Sequence, residues 1–135
     1  MNLEQLLPDV KAYLRQVDLR HVPGWDADKP LCVEPLAQGE YNMNYRVSRG
    51  GQWVLRVNVG TQIDRHDQIL YEYRALNLLE STGVTPRAFY VDDSKTLIPY
   101  GVLLMEYLPG EPLDYRQDLE AAAHLFARIH SQPVA

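Results

Sequence analysis

One arginine lies inside an otherwise apolar strand candidate, residues 53–59 (WVLRVNV). Because side chains alternate between the two faces of a strand, Arg56 shares a face with Val54 and Asn58. A guanidinium flanked by apolar residues is costly unless it meets an anion, so Arg56 is expected to bind a carboxylate or a phosphate. The alternative left open by this pattern is an arginine on the solvent face of an edge strand.

A carboxylate that could meet this cation lies on the next helix candidate. The segment 68–83 (QILYEYRALNLLESTG) has apolar residues at helical spacing, and Gly83 is well placed to end a helix over 68–82. Glu72 borders the apolar face of this helix, which favours an ion pair with Arg56. A solvated glutamate is the alternative, since most glutamates on helices face water.

Two further segments could bind a ligand through their backbone. The turn-rich stretch 36–47 (LAQGEYNMNYRV) contains Gly39, and the N–H groups of 38–43 could turn toward phosphates. An ordinary hairpin with a glycine bulge would have the same composition. The apolar run in 102–113 (VLLMEYLPGEPL) predicts a buried strand over 101–107 that breaks into a turn at Pro109.

The order of these parts resembles the ATP-binding lobe of a kinase: a glycine loop, a strand with a cation, a helix with a carboxylate, and a strand that leads into a hinge. The details resemble the aminoglycoside phosphotransferase and choline kinase families. Gly39, Asn42 and Tyr45 match their G-x-x-N-x-x-Y loop, and Glu72 begins a match to E-x-x-A-L-x-x-L. Arg56 stands where kinases have lysine, and its guanidinium makes forked contacts instead of a point contact.

This resemblance implies an ATP site. Arg56 would contact the phosphates and pair with Glu72. The residues implied to bind ATP are Leu36, Gly39, Asn42, Val54, Arg56, Glu72, Met105, Glu106 and Leu108.

The main chain would supply most of the polar contacts to the adenine base. The Glu106 carbonyl and the Leu108 N–H would hydrogen-bond to the adenine edge. Met105 would limit the back of the pocket, and Val54 and Leu36 would roof the base, so that most of the site is apolar.

The same resemblance places the catalytic groups elsewhere. These families have a His-Gly-Asp-x-x-x-x-Asn loop and a later Asp motif, and neither occurs in the sequence, where His130 is followed by Ser131 and Gln132. We therefore expect the ATP-binding lobe of a phosphotransferase that acts on a small hydroxylated molecule. Mg²⁺ and the acceptor would bind with a catalytic lobe that is absent from this chain. The alternative is a stand-alone, non-catalytic binding or interaction module with the same lobe fold.

The predicted fold is α+β: a kinase-like small lobe with an antiparallel sheet of about five strands, an inserted helix, and N- and C-terminal helices. Strands are expected at 31–38, 42–48, 52–59, 88–92 and 101–107, with a further short piece at 96–98. Helices are expected at 2–19, with Pro8 in the first turn, and at 119–130. Gly50 and Gly51 predict a two-residue hairpin. The expected parts are a helix and loop over 1–30, the lobe over 31–113, and a post-hinge helix within 114–135.

Composition limits the remaining possibilities. The 135 residues suffice for one core, and Cys32, the only cysteine, excludes an internal disulfide. We expect a cytoplasmic protein, because the N-terminus does not resemble a signal peptide and no segment is apolar for long enough to span a membrane. The net charge of −5 argues against nucleic-acid and membrane partners. The apolar stripe of the 119–130 helix predicts a homo-oligomer formed through it.

Overall fold

Five strands and two α-helices make up the part of the chain that the computed structural model describes, residues 2–60 and 67–108. In chain order they are α1 (Leu3–Gln16), β1 (Cys32–Gln38), β2 (Asn42–Ser48), β3 (Gln52–Asn58), α2 (Gln68–Leu79), β4 (Ala88–Asp92) and β5 (Gly101–Glu106). A single 3-10 turn, Glu80–Thr82, extends α2.

The strands form one antiparallel sheet in the order β1-β2-β3-β5-β4. The predicted α+β fold with its five-stranded sheet and inserted helix is confirmed. The predicted helix over 119–130, the connection before it and the oligomer contact assigned to it lie outside the described residues and stay predictions. The boundaries proposed for the three parts of the chain also stay predictions.

Different helices cover the two faces of the sheet. On the face that α1 covers, one buried core joins helix and strands through Leu6, Val10, Tyr13, Leu14, Val33, Met43, Tyr45, Val47, Trp53, Leu55, Val57, Val102 and Leu104. On the opposite face, called the α2 face below, the buried cluster is Ile69, Leu103 and Met105. Because side chains alternate along β3, Trp53, Leu55 and Val57 lie in the α1 core and Arg56 lies on the α2 face.

Helix α1 begins earlier than Pro8 predicts. The Asn2 side chain accepts a hydrogen bond from the Gln5 N–H, and the Gln5 side chain accepts one from the Asn2 N–H, which forms a capping box. Pro8 therefore lies inside the helix, and its expected place in the first turn is wrong. The helix ends at Gln16 because Val17 is extended, so the predicted helix over 2–19 is shorter at both ends.

A buried hydroxyl fastens α1 to the edge strand β4. Tyr13 donates a hydrogen bond of 2.7 Å to Asp92 Oδ2 and lies 2.8 Å from the Tyr90 hydroxyl. Burial, and then these hydrogen bonds, raise the pKa of the Tyr13 hydroxyl, which therefore stays protonated as a donor. Burial alone would raise the pKa of Asp92, but hydrogen bonds from Ser94 and Tyr13 outweigh it and lower that pKa.

The β2–β3 hairpin has a longer loop than predicted. Ser48 pairs with Gln52, which leaves residues 49–51 in the loop, so the predicted two-residue connection is wrong. Arg49, which a two-residue loop would leave at the end of β2, instead bonds to the segment 26–29. The Asp26 N–H donates to the Arg49 carbonyl at 3.0 Å, and Arg49 Nε donates to the Lys29 carbonyl at 3.0 Å.

Three other boundaries differ from the sequence prediction. β1 starts one residue later, and β3 and β5 each end one residue earlier. The predicted strand piece at 96–98 is wrong, since this segment has bends and no strand pairing. Ile98, only 3% exposed, explains the misleading apolar signal, because it packs in the α1 core through its side chain alone.

Gly101 allows α2 to pack closely on β5. A Cβ atom at this position would lie 2.5 Å from Ile69 Cγ2 and 2.8 Å from Ile69 Cβ. We expect Gly101→Ala to lower the free energy of unfolding by roughly 2 kcal/mol, because the first turn of α2 would have to move off the sheet. Urea denaturation measures this change.

Gly39→Ala is the matched control for that substitution. A Cβ atom at residue 39 would meet nothing closer than the Asn42 carbonyl oxygen at 3.8 Å. We expect a change within about 0.5 kcal/mol. Equal losses of stability in the two variants would contradict the role given to Gly101.

Candidate functional site

Arg56 and Glu72 form the ion pair expected from the sequence. Arg56 Nη1 lies 3.3 Å from Glu72 Oε2, which links the middle of the sheet to α2. The alternative of an arginine on an edge strand is wrong, because β3 lies between β2 and β5. The alternative of a fully solvated glutamate is wrong as well, since the Glu72 side chain is only 21% exposed.

The ion pair with Glu72 uses only one nitrogen of the Arg56 guanidinium, Nη1. Its Nε donates to Asn44 Oδ1 at 3.1 Å and its Nη1 donates to Glu72. A guanidinium carries more N–H donors than these two bonds use, and the others find no acceptor among the described residues. With the Arg56 side chain 31% exposed, these donors remain accessible to an anion.

The packing of α2 sets the position of Glu72. Ile69 lies one turn earlier and is 1% exposed, buried with Leu103 and Met105. Tyr73 and other partly buried residues extend this contact along the helix. Glu72 therefore lies at the margin of a packed interface, where the helix backbone fixes the distance between its carboxylate and Arg56.

Polarity changes along the strands on the α2 face. Antiparallel pairing places side chains in rows across β2, β3 and β5, and successive rows on one face are about 7 Å apart. The row nearest the end of β5 consists of Arg46, Val54 and Met105. The middle row consists of Asn44, Arg56 and Leu103, and the third row consists of Asn42, Asn58 and Gly101. The face is thus mainly apolar near the end of β5 and polar near the turn that joins β1 to β2.

The glycine-containing turn between β1 and β2 is closed by its own backbone. The Gly39 N–H donates to the Asn42 carbonyl at 2.9 Å, so this N–H already has an acceptor inside the turn. The Asn42 side chain accepts a hydrogen bond of 2.9 Å from Asn58 Nδ2. Asn42 is therefore held across the strands, and its own amide N–H groups are directed away from that bond.

The residues at and just after the end of β5 include one backbone donor with no acceptor in the described part of the chain. The Glu106 N–H donates to the Arg87 carbonyl at 2.7 Å, and the Glu106 carboxylate accepts from the Arg87 N–H at 3.2 Å. These bonds fasten Glu106 to the segment before β4. The Leu108 N–H has no acceptor among the described residues and so could bind a ligand.

The apolar residues assigned to the base differ in exposure. Met105 is 4% exposed and packs under α2, while Val54 lies partly buried beside it. Leu36 is 45% exposed and falls where the β1–β2 register shifts between Pro35 and Ala37. Leu108 is 54% exposed. Leu36 and Leu108 therefore belong to neither buried cluster, and their apolar surface is open.

The residues that orient the predicted ones were not among the site residues expected from the sequence. Asn44 bonds to Arg56, and Asn58 bonds to Asn42. Arg46 places its guanidinium carbon 4.9 Å from the centre of the Tyr107 ring, next to Val54. Counting pairs back from the predicted two-residue loop would place Asn44 opposite Val57, so these contacts follow only from the three-residue loop that the structure shows.

Two kinds of feature are absent from the described ranges. No group of three or more His, Cys, Asp or Glu side chains within 2–60 and 67–108 could hold a metal ion. No helix in these ranges is long and apolar enough to cross a membrane.

Comparison with known proteins identifies the family. The model of the phosphotransferase enzyme family matches residues 33–135, which is most of the chain. The chain belongs to the phosphotransferase enzyme family. Its described residues form the N-terminal lobe of that family. No curated protein matches the chain significantly.

A solved structure has the same lobe. It is a crystal structure from Ralstonia eutropha JMP134 of a protein provisionally named an aminoglycoside phosphotransferase. The two chains are 25% identical, with a TM-score of 0.56. The match covers 80% of this chain and 29% of the other, so this member of the phosphotransferase family spans less than a third of that protein's length.

The partial exposure of the Arg56–Glu72 pair predicts a small contribution to stability. In a double-mutant cycle with Arg56→Met and Glu72→Gln, we expect a coupling energy of about 0.5–1 kcal/mol at low salt. The coupling should fall as salt is added, since solvent ions reach the pair. Chemical denaturation of the four proteins gives this value. A salt-independent coupling above about 3 kcal/mol would show instead a buried structural pair.

Proposed function

We propose that the chain is the ATP-binding lobe of a phosphotransferase that phosphorylates a small hydroxylated molecule. One observation carries the proposal: the guanidinium of Arg56 is held on the α2 face with N–H donors to spare, between an apolar row and a polar row. An elongated ligand with an apolar ring at one end and anionic oxygens at the other fits this order.

The base would lie at the apolar end of the face. Partly buried Val54 offers apolar surface there, with Met105 behind it, and the Leu108 N–H, which has no acceptor among the described residues, offers a donor to a ring nitrogen. The exposed side chains of Leu36 and Leu108 would be covered by the ring. Burial of this open apolar surface favours binding of the base.

The phosphates would lie over Arg56. Guanidinium matches the spacing of phosphate oxygens and binds them in a fork, which a single ammonium cannot do. Glu72 keeps the cation oriented, and Asn42 at the next row has amide N–H groups for a further oxygen. In this account the lobe binds and orients the nucleotide.

The remaining chemistry is assigned to groups outside these residues. Phosphoryl transfer requires Mg²⁺ to neutralise charge and a base to orient the attacking hydroxyl. The sequence has no match to the His-Gly-Asp-x-x-x-x-Asn loop or to the later Asp motif, which would supply the base and the metal ligand in related proteins. We therefore expect no phosphoryl transfer from the 135 residues alone, and we assign choice of the acceptor to a second lobe.

Titration of the 135-residue chain with ATP and with adenosine, followed by NMR, tests the proposal. We expect weak binding of ATP, with Kd on the order of 0.1–1 mM, because one face of the base stays in water. Arg56→Met should weaken ATP binding roughly tenfold and leave adenosine binding unchanged, because only ATP has phosphates for the guanidinium to contact.

Arg74→Met is the matched control, since Arg74 is an exposed arginine on α2. It removes the same charge from the chain, so it accounts for the effect of net charge. Equal affinity of the wild-type chain for ATP and adenosine, or equal losses in the two variants, would refute the proposal.

A further inference from the structure

Asn44 is the second partner of Arg56 among the described residues. It lies directly opposite Arg56 in the β2–β3 register, on the α2 face. Its Oδ1 accepts the Nε–H of Arg56 at 3.1 Å, a shorter contact than the 3.3 Å between Arg56 and Glu72. The side chain is partly buried and therefore placed by the sheet.

Two contacts at different nitrogens fix a planar group. A guanidinium held at Nη1 alone can rotate about its contact, because the arginine side chain has several free torsions. Asn44 holds the group at Nε, a different nitrogen from the Nη1 that binds Glu72. With both in place, the direction of the remaining N–H groups is determined.

The bond to Asn44 also limits how Arg56 pairs with Glu72. Arginine and carboxylate tend to form a pair of parallel hydrogen bonds. Here the described contact is a single bond from Nη1 to Glu72 Oε2. While its Nε–H is bonded to Asn44, the guanidinium cannot use the edge that contains Nε to form such a pair of bonds with Glu72.

We propose that Asn44 is a positioning residue that keeps Arg56 from closing onto Glu72 and leaves its free N–H groups for a phosphate. The inference rests on the proposed function for the identity of the ligand. It assigns a role to a residue on the opposite strand that does not itself contact the phosphate. Without Asn44, Arg56 would neutralise Glu72 more completely and offer fewer donors to the nucleotide.

The first arm of the test needs no nucleotide. The Nε–H of Arg56 in the 135-residue chain is observed by ¹⁵N NMR, and its exchange with water is measured. We expect Asn44→Leu, which has similar volume and no acceptor, to speed this exchange roughly tenfold. Asn44→Asp keeps an oxygen at the same place and should restore slow exchange. Unchanged exchange in Asn44→Leu, or fast exchange in Asn44→Asp, would overturn the proposal.

The second arm measures the ratio of ATP affinity to adenosine affinity. Asn44→Leu should lower this ratio about fivefold, and Ser48→Ala, on the same strand and outside the site, should leave it unchanged. Asn44→Ala serves if the leucine variant does not fold. An unchanged ratio in the Asn44 variants, beside a wild-type preference for ATP, would overturn this inference alone. No preference for ATP in the wild type would overturn the proposed function and this role with it.

Discussion

The charge of Arg56 is the constraint on which the site depends. A strand in the middle of a sheet has neighbours on both sides, so a cation there is kept only where anions or acceptors surround it. The protein meets this need with one carboxylate from α2 and one amide from β2, at 3.3 Å and 3.1 Å. Both partners leave the group partly exposed, so the cation keeps donors for a ligand while its charge is balanced.

The rest of the lobe keeps the α2 face, on which Arg56 lies, accessible and correctly shaped. Helix α1 packs on the other face together with buried loop residues such as Leu19 and Val22, and its link to β4 through Tyr13 and Asp92 holds the helix in place. Because the core lies on that side, the α2 face does not need to be filled with apolar residues. Gly101 then lets Ile69 approach the sheet, which brings Glu72 within reach of Arg56.

The sequence was informative where local pattern decides structure. Alternation in 53–59, the helical spacing after Gln68 and the position of Gly83 predicted the strand, the helix, its end and the ion pair. It was misleading at Pro8, because the nearby capping box of Asn2 and Gln5 starts the helix earlier. It was also misleading where distant parts of the chain decide, since residues 26–29 hydrogen-bond to Arg49 and Ile98 is buried without strand pairing. Asn44 was missed because its role depends on hairpin register, and the predicted two-residue loop places it opposite Val57 instead of Arg56.

Intermolecular NOEs between ATP and the methyl groups of the chain test the central claim, that the nucleotide lies on the α2 face with its base at the apolar end. The account predicts NOEs from adenine H2 and H8 to the methyl groups of Val54 and Met105, and none to Val47 or Val57, which lie in the core under α1. Adenine contacts that are confined to exposed Leu78 on the outer side of α2 would contradict it.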